Sequence, residues 1–318
     1  MRIFAAVSVL LLSLSASACS DDAGDSTKAV VAARGDTRDA ARERAGDILA
    51  LTYNVAGLPE GLSQSMPSRF TPIIGPLLNG YDLVFLQESW QTPDPNPLDP
   101  LRGYHEILVA ASNLPYKTPP AMQPLGNDPF RPSAQLGDGL NIFSRIELGD
   151  TQRVVWSTCV ESASDCLALK GFSMTTAQFG DGLPVHLYDL HMEAGETPED
   201  EDARDGDIAQ LVAYIAEHSQ GKAVIVGGDF NLHTDREPAI SQLKRLLEQA
   251  QLSDACSELS CEHPGSIDKI LYRSGERVAL EATRWAYQDE VFVSDSGEPL
   301  SDHLPVAVRL EWSEKPAN

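Results

Sequence analysis

The chain has 318 residues, 42% apolar and 22% charged, enough for one large folded domain or two small ones and ordinary for a globular protein. Its 24 Lys and Arg are outnumbered by 47 Asp and Glu, a net charge of −23 at pH 7. Such a surface repels phosphate backbones and anionic membranes; it leaves neutral or zwitterionic partners, or anions reached through a bound cation.

In chain order, Arg2 followed by the apolar run Ile3 to Leu14 and then Ala16-Ser17-Ala18 reads as a signal peptide over residues 1–18. Cys19 follows at once, so the segment also has the form of a bacterial lipobox with the thiol as lipid acceptor; export is the expectation, either secreted or lipid-anchored. Residues 19–46 are Asp-, Ala- and Arg-rich without apolar period and read as a disordered tether. The folded domain is expected over 47–318, and no later apolar run is long enough to span a membrane.

Within that domain, Ile48 to Val55 is a strand by pattern, and Gly57-Leu58-Pro59 a turn. A helix over Arg69 to Leu78 precedes a strand, Leu83 to Leu86, that ends in Gln87-Glu88. Residues 91–138 are proline-dense; only Tyr104 to Ala111 has strand character. A loop of this length usually carries function, and Leu114, Tyr116, Met122, Leu125 and Phe130 are expected to form an apolar lip beside a site. Strands follow at Gly139 to Phe143, Arg153 to Trp156, Leu167 to Phe179 and Val185 to His191. Acidic residues Glu196 to Asp207 open an amphipathic helix through Ile208, Leu211, Val212 and Ile215, where first-turn acids suit the helix dipole.

Ala223 to Val226 is a buried strand that two glycines are expected to end, placing Asp229 and Asn231 at its mouth. Pro238 to Ala250 reads as a helix; Ser266 to Leu271, Val278 to Thr283 and Val306 to Leu310 read as strands. Cys159, Cys166, Cys256 and Cys261 allow three pairings, and close spacing favours Cys159–Cys166 and Cys256–Cys261; a zinc site is the rival reading, without CxxC spacing to support it.

The polar residues recur at or just beyond apolar strands: Asn54, Glu88, His191, Asp229 with Asn231, Asp268, and Asp302 with His303. Strand ends gathered on one sheet edge would make an acidic pocket with two imidazoles. That inventory suits phosphate-ester hydrolysis, in which a divalent cation neutralises phosphoryl charge and a histidine activates water.

Thr52-Tyr53-Asn54, Leu86-Gln87-Glu88, Asp189-Leu190-His191, Gly228-Asp229-Phe230-Asn231, Ile267-Asp268 and Ser301-Asp302-His303-Leu304-Pro305 resemble, in order, the motifs of the endonuclease/exonuclease/phosphatase superfamily. The resemblance spans about residues 47–312. It implies a four-layer α/β sandwich of the DNase I-like kind, two packed mixed β-sheets flanked by helices, and an enzyme that hydrolyses phosphoric esters with Mg²⁺, or Mn²⁺ or Ca²⁺ in its place. Carried over by motif, Glu88 is the principal metal ligand with Asn54 beside it, and Asp229 and Asn231 position phosphate, water and metal. His303 is the general base, His191 the second catalytic imidazole, Asp268 the acid orienting an imidazole or holding a metal, and Asp302 a ligand or a partner beside the base.

Cys159, Asp165-Cys166 and Lys170-Gly171-Phe172 are similar to the cysteine loop and Asn-Lys-Gly segment of bacterial neutral sphingomyelinases, although Leu169 replaces the Asn. Trp285, Tyr287 and Phe292 stand where those enzymes carry membrane-touching aromatics. The substrate so implied is a zwitterionic phospholipid head group at a membrane surface, cleaved in phospholipase C fashion by a monomer. A secreted endonuclease acting on nucleic acid, and a non-catalytic ligand-binding lipoprotein, are the alternatives.

Overall fold

The computed structural model describes residues 44–63, 65–91, 103–121, 131–161 and 165–316. The signal-peptide and lipidation readings, nearly all of the tether, and Met122, Leu125 and Phe130 lie outside them.

Twelve strands among the described residues form two six-stranded mixed sheets. The first contains β1 (Ala45–Asn54), β2 (Leu83–Gln87), β3 (Tyr116–Lys117), β4 (Asn141–Ser144), β11 (Val278–Tyr287) and β12 (Val306–Glu314), in the order β11-β12-β1-β2-β4-β3. The second contains β5 (Gln152–Val155), β6 (Gly171–Phe179), β7 (Leu183–His191), β8 (Ala223–Asp229), β9 (Ser253–Asp254) and β10 (Asp268–Arg273), in the order β5-β6-β7-β8-β10-β9. Each sheet is antiparallel except for one central parallel pair, β1 with β2 and β7 with β8.

Strict alternation sorts the side chains into layers. Leu51, Tyr53, Val84 and Leu86 face outward onto Phe70 and Ile74 of α1 (Pro67–Leu77) and Leu108 of α2 (Tyr104–Ala111). On the second sheet Tyr188, Leu190, Val224 and Val226 face Ile208, Leu211 and Ile215 of α3 (Pro198–His218) and Leu243 and Leu246 of α4 (Ala239–Ala250). Between the sheets lie Ile48, Ala50, Leu83, Phe85, Val185, Leu187, Ile225 and Ile270. This is the four-layer sandwich, helix on sheet on sheet on helix, that the motif order implied.

Several local readings change. Tyr104 to Ala111 is helix rather than strand: Tyr104, Ile107 and Leu108 recur with helical spacing and bury one face. Leu114 belongs to the core beneath that helix, and Tyr116 is on the edge strand β3, so neither forms a lip at the site. The strand expected from Leu167 starts only at Gly171, after a 3-10 turn at Asp165–Leu167. Phe292 is buried against Tyr53, ring centroids 4.8 Å apart, while Trp285 and Tyr287 are half-buried and stack with His263. The acidic start of α3 is a capping box, with Thr197 and Asp200 bonding each other's backbone N–H. The disulfides pair Cys159 with Cys166 and Cys256 with Cys261, which removes the zinc reading.

The glycines after Val226 do not end the strand; β8 runs through them to Asp229. They are there because bulk does not fit. A Cβ on Gly227 would stand 2.4 Å from the Phe85 ring of the opposite sheet, and one on Gly228 2.4 Å from the Leu190 carbonyl oxygen. The sheets therefore approach closely just below the strand ends. Gly227→Ala should cost about 1–3 kcal/mol by overpacking, read from urea unfolding, and Phe85→Leu in the same background should return part of the loss.

Candidate active site

The row of side chains that faces the sheet interface turns from apolar to polar at one end of the sandwich. Ile48 and Ala50 are followed in that row by Thr52 and Asn54; Leu83 and Phe85 by Gln87; Val185 and Leu187 by Asp189 and His191; Ile225 and Gly227 by Asp229. Register then lines them up: His191 on β7 pairs with Asp229 on β8, which pairs with Asp268 on β10. Three functional groups thus stand abreast across three strands.

Asn54 ties this rung to the first sheet. Its Nδ2 donates to Glu88 Oε1 at 3.0 Å and to Asp229 Oδ2 at 3.1 Å, and lies 3.4 Å from His303 Nε2. The Ala56 N–H donates to Asn54 Oδ1 at 3.0 Å, which settles which end of the amide is which. Beneath, Gln87 Nε2 donates to Asp189 Oδ1 at 2.6 Å across the fully buried interface, and Thr52 Oγ1 donates to Gln87 Oε1 at 3.3 Å.

His303 reaches the rung from the loop before β12. Its Nδ1 lies 2.8 Å from Asp268 Oδ2 and its Nε2 3.7 Å from Asp229 Oδ2. The Nδ1–H therefore goes to Asp268, leaving Nε2 toward the cavity. Ser301 places the loop by donating to the Asn54 carbonyl at 2.8 Å. His191 Nε2 is 3.3 Å from Asp229 Oδ2, and the Trp156 indole N–H donates to the His191 carbonyl at 2.7 Å. Asn231 donates its backbone N–H to Asp229 Oδ1 at 3.0 Å and its Nδ2 to the Met192 carbonyl at 3.1 Å.

A cavity of about 660 Å³ opens over these groups. Glu88, His191, Asp229, Asn231, Asp302 and His303 line it, while Asn54 and Asp268 stand behind, hydrogen-bonded to lining residues. Asp302 is exposed and accepts from Ser301 Oγ at 3.3 Å. All eight polar positions singled out in the sequence therefore converge. A larger cleft, about 1170 Å³, lies at the opposite strand ends around Lys222 and Arg273 and contains none of them. Ala56, Glu88 and Asn231, all bordering the 660 Å³ cavity, hold left-handed backbone with φ of 48°, 55° and 50°. Such conformations cost non-glycine residues about 1–3 kcal/mol each and concentrate where geometry serves function.

The cavity also holds groups that strand patterning could not find. Lys170 is buried and ion-paired with Asp165 inside the cysteine loop, and both line the wall. Leu58, Pro59 and Leu62 come from the turn after β1, and Leu136 and Leu167 from two segments joined by the Leu136 N–H to Leu167 carbonyl bond. The sequence signals were the Gly57-Leu58-Pro59 turn and the short disulfide loop, neither of which reveals its direction.

Electrostatics follow from burial. It pushes the Glu88 carboxyl above its usual range, against the pull of the Asn54 hydrogen bond and of Lys170 and His303. Burial also acts upward on Asp229, but His303, His191, Lys170 and the Asn54 amide together hold it below the carboxylate range. Burial lifts Asp268 to about 6, and Asp229 adds to this against the attraction of His303. His191 is driven down to about 3 by burial and by Lys170, so it stays neutral. For His303 burial acts downward, but Asp268, Asp229 and Asp302 outweigh it and hold the imidazole well above its ordinary value.

The donor set fits a hard divalent cation: among the lining residues four carboxylates, Glu88, Asp165, Asp229 and Asp302, face a single lysine that is already paired. Asp229, Asp268 and His303 bring candidate ligand atoms within 4.8 Å of one another. The proton between Asp268 and His303 Nδ1, however, bars a cation from that spot. Glu88 and Asp229, joined through one Asn54 amide, are the better seat.

These features agree with the comparisons. The profile of the Endonuclease/Exonuclease/phosphatase family matches residues 51–303, and the chain belongs to that family. A protein of Mycobacterium tuberculosis named Sphingomyelinase is 34% identical over 290 residues, 84% of this chain and 53% of that protein; the chain spans about half the length of the curated relatives it matches. Sphingomyelinase C from Streptomyces griseocarneus superposes with a TM-score of 0.60 over 83% of this chain and 99% of that one, at 19% identity. A mutant beta toxin of Staphylococcus aureus with bound magnesium ions gives 0.59 over 83% and 99%, at 16%. At such identities the two structures speak for the DNase I-like fold.

In the metal-free protein His303 should titrate above its ordinary 6.5, and Asp268→Asn should lower that value. By linkage, the stability this histidine contributes is fully present below 6.5 and is lost as pH rises through its folded pKa. Imidazole NMR titration of both proteins checks the shift; an unchanged pKa in the variant would remove Asp268 as its cause.

Proposed function

We propose that the protein is an exported, divalent-cation-dependent phosphodiesterase that cleaves the head group from a zwitterionic phospholipid of the sphingomyelin type. The observation that carries the reading is the His303–Asp268 pair aimed at the Glu88–Asn54–Asp229 bridge across one cavity. His303 Nε2 takes the proton of an attacking water, and Asp268 stabilises the imidazolium that results. His191, kept neutral, supplies a hydrogen bond to the phosphoryl group rather than a second charge. Glu88 and Asp229 would hold Mg²⁺, which would supply positive charge to offset that of the phosphoryl group.

The zwitterionic substrate is supported by the named sphingomyelinase relatives, by the net charge of −23, and by a cavity with one paired lysine where a polynucleotide would need a basic track. Export is supported by residues 1–18, and Cys19 is the proposed lipid acceptor.

Release of choline phosphate from sphingomyelin vesicles should require added Mg²⁺ and stop in excess EDTA. His303→Ala and Glu88→Ala should each lower the rate about 10²–10⁴-fold without unfolding the protein. Plasmid DNA assayed in parallel should stay intact; nicking without choline phosphate release would instead make the protein a nuclease. Cys19→Ser should shift the exported protein from the membrane to the soluble fraction, and retention at the membrane would rule out that anchor.

A further inference from the structure

Among the described residues, the most exposed large apolar side chain adjoins the cavity. Leu62 is 72% exposed, more than any other large apolar side chain among the described residues, and Leu167 is 45% exposed; both line the cavity mouth. Neither sits on a loose loop. The Leu62 and Ser63 N–H groups both donate to the Pro59 carbonyl, at 3.0 and 3.1 Å, and Ser63 Oγ donates to the Ala56 carbonyl at 2.9 Å. Leu167 follows the Cys159–Cys166 disulfide, and its carbonyl accepts from the Gln135 and Leu136 N–H groups at 2.7 and 3.0 Å. Two anchored turns thus hold leucines in water beside a polar cavity. Apolar exposure of that kind marks a surface that is covered in use.

The charge around the turns selects the cover. Glu60 and Asp302 are exposed beside them, and the single lysine in the cavity lining is buried in its ion pair with Asp165. Peripheral proteins commonly add a basic patch to an apolar anchor and so favour anionic lipid. Here the charge has the opposite sign.

We propose that the Pro59–Ser63 turn and the Asp165–Leu167 turn form a bilayer-docking rim. Leu62 and Leu167 enter the interface of an electrically neutral membrane, and anionic lipid opposes the contact. The cavity then opens onto the head-group layer, and a lipid is cleaved without leaving the bilayer. This inference rests on the phosphodiesterase reading, but its sedimentation test does not.

The full chain carrying His303→Ala, so that no lipid is consumed, is sedimented with vesicles of phosphatidylcholine and with vesicles in which part of that lipid is replaced by phosphatidylglycerol. Leu62→Asp with Leu167→Asp is measured in the same background. Binding to neutral vesicles should weaken about tenfold or more in the double variant, and phosphatidylglycerol should weaken binding of its parent. The two substitutions in otherwise native protein should slow hydrolysis of vesicle lipid far more than that of water-soluble p-nitrophenylphosphorylcholine. Equal sedimentation of parent and double variant, or tighter binding to anionic vesicles, would overturn the docking rim. Absence of all hydrolysis with sedimentation as expected would instead remove the enzymatic reading and leave the rim standing.

Discussion

The structure depends on one rung. His191, Asp229 and Asp268 stand side by side because β7, β8 and β10 pair in register, and they face inward because each continues an alternating row whose earlier members fill the inter-sheet core. A slip of one residue in either pairing would turn part of that rung toward the helices. Register is held by the row beneath: Ile225, Ile270, Val185 and Leu187 must be buried, and Gly227 must admit Phe85. The apolar core and the polar site are consecutive stretches of the same strands, so packing and chemistry are specified together.

Asn54 makes the two sheets one site. A neutral amide that donates to both Glu88 and Asp229 lets a half-buried and a buried carboxylate sit close without a protein cation between them. The bonds beneath it, Thr52 to Gln87 to Asp189, continue the connection into the core. The remaining negative charge is what favours a divalent ion, and the same field charges His303. In the proposed reading Asp229 would serve both, as part of the cation seat and, with Asp268, as a cause of the raised His303 pKa.

The rim extends this logic outward. In the proposed docking, a chain with net charge −23 would rely on the apolar side chains held at the cavity mouth rather than on basic attraction to a membrane. The turn that closes the disulfide loop serves both levels, with Asp165 pairing Lys170 inside and Leu167 facing water outside.

Much of this was legible in the chain. Apolar runs ending near Glu88, His191 and Asp229, and a short spacing between cysteines, were enough for most strands, the disulfides and the polar inventory, because strand period and local loop closure are properties of neighbouring residues; the two-sheet sandwich followed from the motif resemblance. Tyr104 to Ala111 was misread because a short apolar run suits either period until something packs on it. Leu114 was assigned to the lip for a related reason: Leu114 and Leu62 look alike in sequence, and only packing against the helices buries the first while the second stands in water. The amino-acid order by itself determined which residues are polar at strand ends and which are apolar between them. The tertiary structure alone decided that Asp268 serves His303, that Asn54 joins Glu88 to Asp229, and that Leu62 and Leu167 share one mouth, because each of those relations is a distance between segments far apart along the chain, set by register and sheet packing.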